Sequence, residues 1–222
     1  MNARQTGGTK MTDLTLIHTA EVHVASFASL APEANLSQIV RSDWLARAQG
    51  GIDDCLRDEI TSTIDGLKGP VLCSCTTIGA VAEAAGATRI DWPMMQKAAQ
   101  IGGPVLLAYC LDSTRTPSSA LLRRAFSEIG ASPDFTLLDL TDLWHLFEAG
   151  DIGAFAEAIT TAVLAALATR PETSAVVLAQ ASMKEAGPSL APLLEIPVLT
   201  SPEIALQALL PAGHGSLSPK DA

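Results

Sequence analysis

Short apolar runs of β type, alternating with Ala- and Leu-rich helical stretches, constrain this chain more than any other feature. Strands are expected at residues 14–19, 71–74, 105–110, 136–139, 175–179 and 198–200. Helices are expected at residues 36–48, 55–66, 78–85, 94–101, 118–129, 143–148, 152–168 and 202–210. Strands separated by helical segments of this length form βαβ units, which need parallel strands with helices outside. The strand runs are nearly continuous in apolar residues, as strands covered on both faces must be. The expected fold class is α/β.

Composition removes several alternatives. At 48% hydrophobic and 17% charged residues, the 222-residue chain is too apolar and too weakly charged to stay disordered. A chain of this size buries roughly 70–75% of its unfolded surface, so the core needs neither disulfides nor a structural metal. The formal net charge is −10, from 14 Lys+Arg against 24 Asp+Glu. That balance argues against nucleic acid, whose phosphates demand a basic face. No apolar run approaches the roughly 20 residues that cross a bilayer, and residues 1–10 lack the apolar stretch of a secretory signal. Cys55, Cys73, Cys75 and Cys110 are accordingly read as reduced thiols of a cytoplasmic protein. Residues 1–10 and 213–222 are expected to be flexible tails.

An internal echo suggests two similar lobes. Val71-Leu72-Cys73-Ser74-Cys75-Thr76-Thr77-Ile78 can be laid over Val176-Val177-Leu178-Ala179-Gln180-Ala181-Ser182-Met183. Each is a buried strand running into a small hydroxyl residue and a helix, with Thr77 on Ser182. A shorter echo pairs residues 14–19 with 105–110. Two such halves would face their strand C-termini across a cleft, where ligands of these sheets bind.

The sequence has no G-x-G-x-x-G after a strand, no G-x-x-x-x-G-K-[ST], no G-x-S-x-G and no H-E-x-x-H. Cys73-Ser74-Cys75 is the feature that calls for chemistry. As a metal half-site it lacks partners, because His18, His23, His145 and His214 have no ligand spacing. Cys73 reads as a small buried hydrophobe within its strand. Cys75 ends the strand just before a helix, where the macrodipole and unpaired N–H groups favour a thiolate.

With these motifs the sequence resembles the aspartate/glutamate/hydantoin racemase superfamily. The matching segments are Leu16-Ile17-His18-Thr19, Cys75-Thr76-Thr77-Ile78-Gly79, Arg89-Ile90-Asp91-Trp92-Pro93-Met94, Asp112-Ser113-Thr114-Arg115-Thr116-Pro117, Val177-Leu178-Ala179-Gln180-Ala181-Ser182-Met183 and Pro197-Val198-Leu199-Thr200-Ser201-Pro202. They run in family order over nearly the whole chain. The resemblance implies two similar Rossmann-like lobes related by a pseudo-twofold axis, with an active-site cleft between them. Residues 11–100 with 201–212 would form the first lobe and 101–200 the second. It also implies a small carboxylate-bearing substrate, proton transfer without cofactor or metal, and a homodimer.

The family mechanism sets two cysteines on opposite faces of the substrate, because inverting a stereocentre removes a proton from one face and delivers one to the other. Cys75 matches the first cysteine. The second position is Gln180, whose carboxamide cannot transfer a proton at neutral pH. Three readings follow: another group such as His18 or Cys110 supplies the second proton; the chemistry is one-sided, as in a single-cysteine decarboxylase of the arylmalonate decarboxylase type; or the pocket only binds a small anion. The resemblance points to Thr76, Thr77, Thr114, Gln180, Ala181, Ser182, His18 and Thr19 as substrate-binding residues. Bland roles compete: a structural histidine at His18, a turn at Ser113 and Thr114, a helix cap at Ser182. Asp91 is read as ordering a turn, Arg115 as solvent-facing, and Trp44, Trp92 and Trp144 as packing.

Overall fold

The computed structural model describes residues 12–210. The expected tails at 1–10 and 213–222 lie outside the described residues. Eight strands form two four-stranded sheets. The first is built from β1 (Leu14–His18), β2 (Leu36–Val40), β3 (Val71–Cys73) and β4 (Thr88–Arg89), the second from β5 (Val105–Tyr109), β6 (Phe135–Asp139), β7 (Ala175–Leu178) and β8 (Val198–Thr200). Their orders are β2-β1-β3-β4 and β6-β5-β7-β8, and every pairing is parallel. The α/β class and the two-lobed arrangement read from the sequence both hold. The helices are α1 (Val22–Leu30), α2 (Ser42–Ala48), α3 (Asp54–Asp65), α4 (Gly79–Ala84), α5 (Trp92–Ile101), α6 (Asp112–Glu128), α7 (Trp144–Glu148), α8 (Ile152–Leu167), α9 (Ala186–Leu190) and α10 (Ser201–Leu209).

Alternation along the strands sorts the core into layers. On one face of the first sheet, Ile17, Val71 and Cys73 pack with Trp44, Leu56, Ile60 and Ile78. On the other, Leu14, Leu16 and Leu72 pack with Phe27 of α1 and Ala205 and Leu206 of α10. In the second sheet Leu107, Tyr109 and Val177 meet Met94, Met95, Leu122 and Phe126. Leu106, Ala108, Val176 and Leu178 meet Phe155, Ile159 and Leu190. The chain therefore crosses between the sheets twice: α5 follows β4 but packs on the second sheet, and α10 follows β8 but packs on the first. Each crossing helix opens with proline in its first turn (Pro93, Pro202), where the missing N–H costs nothing.

Local chemistry explains several boundaries. The Asp53 carboxylate caps α3 by accepting from the Leu56 N–H at 2.7 Å, and Asp151 caps α8 by accepting from Ala154 at 3.0 Å. Four expectations change. Residues 36–48, read as one helix, split into strand β2 and helix α2, because β1 needs a parallel neighbour and takes Leu36–Val40 in register from Leu14. Helix α1 was not expected at all; its His- and Ser-interrupted sequence is weakly helical, and Phe27 docking on Leu14 and Leu16 holds it. Helix α6 begins at Asp112 rather than at 118, with Pro117 accommodated inside it. Strand β4 has only two residues, too short to leave a pattern.

Arg89 of β4 and Asp91 form a buried, two-pronged ion pair at 3.0 and 2.9 Å. Asp91 thus does more than order a turn, since it neutralises a buried guanidinium. A Cβ at Gly79 would sit 3.0 Å from the Arg89 Nε, which is why the segment after Cys75 carries glycine there. Among the described residues no helix is long and apolar enough to cross a membrane.

Candidate active site

A crevice opens at the C-terminal ends of the central strands, lined by residues of both lobes. Cys75, Thr76, Thr77, Thr19, Thr114, Gln180, Ala181 and Ser182 all line it. Of the substrate-binding residues named from the sequence, His18 alone stays behind the wall. Its ring is fully buried, with Nδ1 2.8 Å from the Ser74 hydroxyl and Nε2 2.8 Å from the Gln38 Oε1. Gln38 donates its own amide to the Val24 carbonyl, so its oxygen accepts from the His18 Nε2–H, while the single proton of the Ser74 hydroxyl lies between Nδ1 and the Ile17 carbonyl at 3.2 Å. Burial lowers the His18 pKa, in keeping with that neutral ring. His18 steadies the residue next to Cys75. Its geometry offers no free nitrogen for a second proton transfer.

Cys110, the other proton donor considered, is fully buried and absent from the crevice wall, and its thiol is pushed up to about 12 by desolvation. Burial also drives Cys73 well above the ordinary thiol range, as befits a core side chain. All four cysteines are free thiols. Among the described residues no group of three or more His, Cys, Asp or Glu is placed to hold a metal.

Cys75 is 8% exposed and faces the crevice. The following helix is short: α4 has six residues and starts at Gly79, four positions on. The long-helix dipole expected from the sequence is therefore replaced by the turn itself. The backbone N–H groups of Cys75, Thr76 and Thr77 take no partner among the described residues, whereas Gly79 N–H closes the turn on the Thr76 carbonyl at 3.2 Å. Successive unpaired N–H groups of this kind form an anion-binding concavity.

The threonine hydroxyls have a different task from the one expected. Thr76 donates its hydroxyl to the Ala179 carbonyl of the other lobe at 3.2 Å, and Thr77 pairs with the Ser113 hydroxyl at 3.1 Å. These bonds clamp the lobes beside Cys75, so it is their N–H groups that remain for a ligand. Ser182 is different. The residue lines the crevice, and its buried hydroxyl has no hydrogen-bond partner among the described residues. A buried hydroxyl without a partner is costly unless a ligand or water completes it.

Strand register makes Gln180 the second-lobe counterpart of Cys75. Ser74 N–H donates to the Ile17 carbonyl at 2.9 Å just as Ala179 N–H donates to Ala108 at 3.0 Å, and the next residues are Cys75 and Gln180. The Gln180 Oε1 accepts from the N–H groups of Cys110 at 2.6 Å and Leu111 at 3.1 Å, with Thr114 Oγ1 at 3.3 Å. The same register makes Thr19 and Ala20 the first-lobe equivalents of Cys110 and Leu111, and their N–H groups take no partner among the described residues. The two lobes thus carry matching N–H pairs; Gln180 fills one and the other stays open. The Gln180 Nε2 has no partner among the described residues and is left to donate into the crevice.

Two wall features were missed in the sequence. Trp144, read as packing, stacks on Phe147 with ring centroids 4.7 Å apart, and the pair forms an apolar wall of the crevice. His23 of α1 also lines it, buried to 9% exposure, with its pKa lowered to about 4 by desolvation and by His18 and Lys184 nearby. The unexpected helix hid it: a histidine in an assumed loop carries no positional signal.

The sequence matches no protein-family model and no curated protein. The structure, in contrast, is similar to several solved ones. Aspartate racemase of Picrophilus torridus superposes with a TM-score of 0.59 at 13% identity, covering 88% of this chain and 93% of that one. Glutamate racemase of Francisella tularensis in complex with D-glutamate gives 0.63 at 12% identity, covering 88% and 78%. Arylmalonate decarboxylase gives 0.55 at 14% identity, covering 91% and 97%. The fold is the two-lobed α/β architecture of these racemases and this decarboxylase.

Proposed function

We propose that this protein moves a proton on the carbon next to the carboxylate or carbonyl of a small acid, without a cofactor, and that Cys75 is the group that moves it. The observation carrying this reading is the placement of Cys75 on the crevice wall, within a turn of unpaired N–H groups and near the unpartnered Ser182 hydroxyl. Negative charge that develops on the carboxylate as the proton leaves is stabilised by such prearranged donors. In this reading the N–H groups of Thr76 and Thr77 and the Ser182 hydroxyl hold the carboxylate. The Cys75 sulfur exchanges a proton with the adjacent carbon, and the Gln180 Nε2 and Thr19 hydroxyl orient the rest of the substrate.

Racemisation is the first form of this chemistry. A one-sided reaction, the loss of a carboxylate followed by one protonation, is the second, and Gln180 favours it by placing an amide where a second thiol would give symmetric proton transfer. The similar folds of aspartate, glutamate and allantoin racemases and of arylmalonate decarboxylase supply the substrates to try. Each enantiomer of aspartate, glutamate and allantoin, and phenylmalonate, is incubated with the protein in D2O and followed by NMR and polarimetry. Racemisation gains deuterium with loss of rotation; decarboxylation loses a carboxylate. Cys75→Ala should cut either rate by about 10³-fold, the scale of one acid–base group. Undiminished turnover in that variant overturns the assignment.

A further inference from the structure

Among the residues lining the crevice, Cys75 and His23 are the two whose side chains carry acid–base groups. We propose that His23 is the second proton-transferring group of this site, working with Cys75 across the substrate. The inference rests on the proton-transfer reading above and decides between its two forms. It stands on placement. Cys75 leaves the first sheet among Ile17, Cys73 and Ile78 on one face, whereas His23 belongs to α1, whose Phe27 packs on Leu14 and Leu16 of the opposite face. The two groups therefore reach the same crevice from opposite faces of the first sheet, and inversion of a carbon centre needs two such acid–base groups.

The His23 ring is held by aromatic contacts alone: Phe27 edge-on at 6.4 Å, Phe147 of the second lobe at 6.3 Å and His18 at 5.9 Å between centroids. Neither ring nitrogen has a hydrogen-bond partner among the described residues. A second hollow lies against the same ring, with Ser26, Lys184 and Glu185 on its walls. The titratable and charged groups around His23 are thus His18, Lys184, Glu185 and Cys75. Lys184, whose charge helps lower the His23 pKa, is itself ion-paired with Glu185.

The step balances with no outside reactant. The neutral imidazole of His23 takes the proton from the substrate carbon and becomes imidazolium, while the C–H electron pair passes into the carboxylate as an enediolate. The Cys75 thiol then gives its proton to the opposite face of that carbon and becomes thiolate. The imidazolium and thiolate return to neutral forms by exchanging a proton with solvent or by running the reaction in reverse.

The test uses His23→Gln in the full-length protein, with the same panel of acids in D2O. Inversion should fall at least 100-fold, while one enantiomer still gains deuterium with its configuration kept, through Cys75 alone. Inversion at the wild-type rate overturns the proposal, as does loss of all exchange together with loss of fold by circular dichroism in both His23→Gln and His23→Asn. A second measurement separates this inference from the reading beneath it: malonate is titrated into wild-type protein with the histidine ring resonances and backbone amides followed by NMR. Shifts at Thr76, Ser182 and His23 support both. Shifts at Thr76 and Ser182 without His23 overturn the role of His23 alone. No shift at any of them, with no turnover in the panel, overturns the proton-transfer reading and this inference with it.

Discussion

Gln180 shows how one side chain can set the character of a site. Its Oε1 supplies the acceptor that two backbone N–H groups, those of Cys110 and Leu111, would otherwise lack. Replacing it by leucine keeps the volume and removes the acceptor, leaving both N–H groups without a protein partner. We expect Gln180→Leu to lose about 2 kcal/mol of stability, the cost of orphaning buried donors, measured by urea denaturation. Gln180→Ala should lose less, because water can enter and bond the same pair. Equal losses would show that packing, not the hydrogen bonds, gives Gln180 its weight. In the sequence the position drew notice only through the family resemblance, which set Gln180 where a second cysteine was expected. Its partners, 69 and 70 residues away, left no such signal.

At the level of elements, the two crossing helices carry the strongest constraint. Helix α10 ends the described chain, yet Ala205 and Leu206 complete the core beneath β1. Leu206 is almost fully buried, so Leu206→Ala should cost about 3 kcal/mol, in the range of large-to-small core changes. Hydrogen exchange should then rise in β1 and α1 before it rises in β5 and β7; uniform loosening of both sheets would count against the crossed packing. Helix α5 makes the reciprocal contact through Met94, Met95 and Ala98 on the second sheet. The helices themselves could be read from their apolar spacing and from Pro93 and Pro202. Which sheet each one covers could not, because an amphipathic face specifies that it must be buried but not against what. Strand β2 and helix α1 escaped for a related reason. Both are half-exposed segments with weak intrinsic preference, formed because the edge and face of β1 need covering.

Across the whole molecule, the buried histidine predicts a pH window. In the unfolded chain His23 binds a proton near 6.5, while the folded protein holds it off until about 4. Between those values the unfolded state carries more protons, so stability is full above pH 6.5 and falls as pH drops toward 4. At about 1.4 kcal/mol per pH unit, this gap from 6.5 to about 4 amounts to about 3 kcal/mol. His18 acts in the same direction. The Glu59 carboxylate, held near 2 by Arg47 and Arg41, adds its effect only below its ordinary value of 4.5, and exposure makes that effect small. Urea midpoints at pH 7, 5.5 and 4.5 should therefore decline in the wild type and decline less in His23→Gln. Parallel curves would remove His23 as the source. A ligand that binds only the folded protein should raise the melting temperature, because it adds RT ln(1 + [L]/Kd) of stability, about 2.7 kcal/mol at 100 times its Kd.

By itself the sequence determined the α/β class, the repetition of a strand–turn–helix unit, and the setting of Cys75 and Gln180 at matching strand ends. All of these are written in local apolar periodicity and short-range turn chemistry. Only the tertiary structure decided that His18 is sealed behind the crevice while His23 opens onto it, that the Thr76 and Thr77 hydroxyls join the lobes, and that Ser182 is left without a partner. Those outcomes depend on which side chains meet across long stretches of chain, and the free energy of such meetings belongs to pairs that no local pattern records.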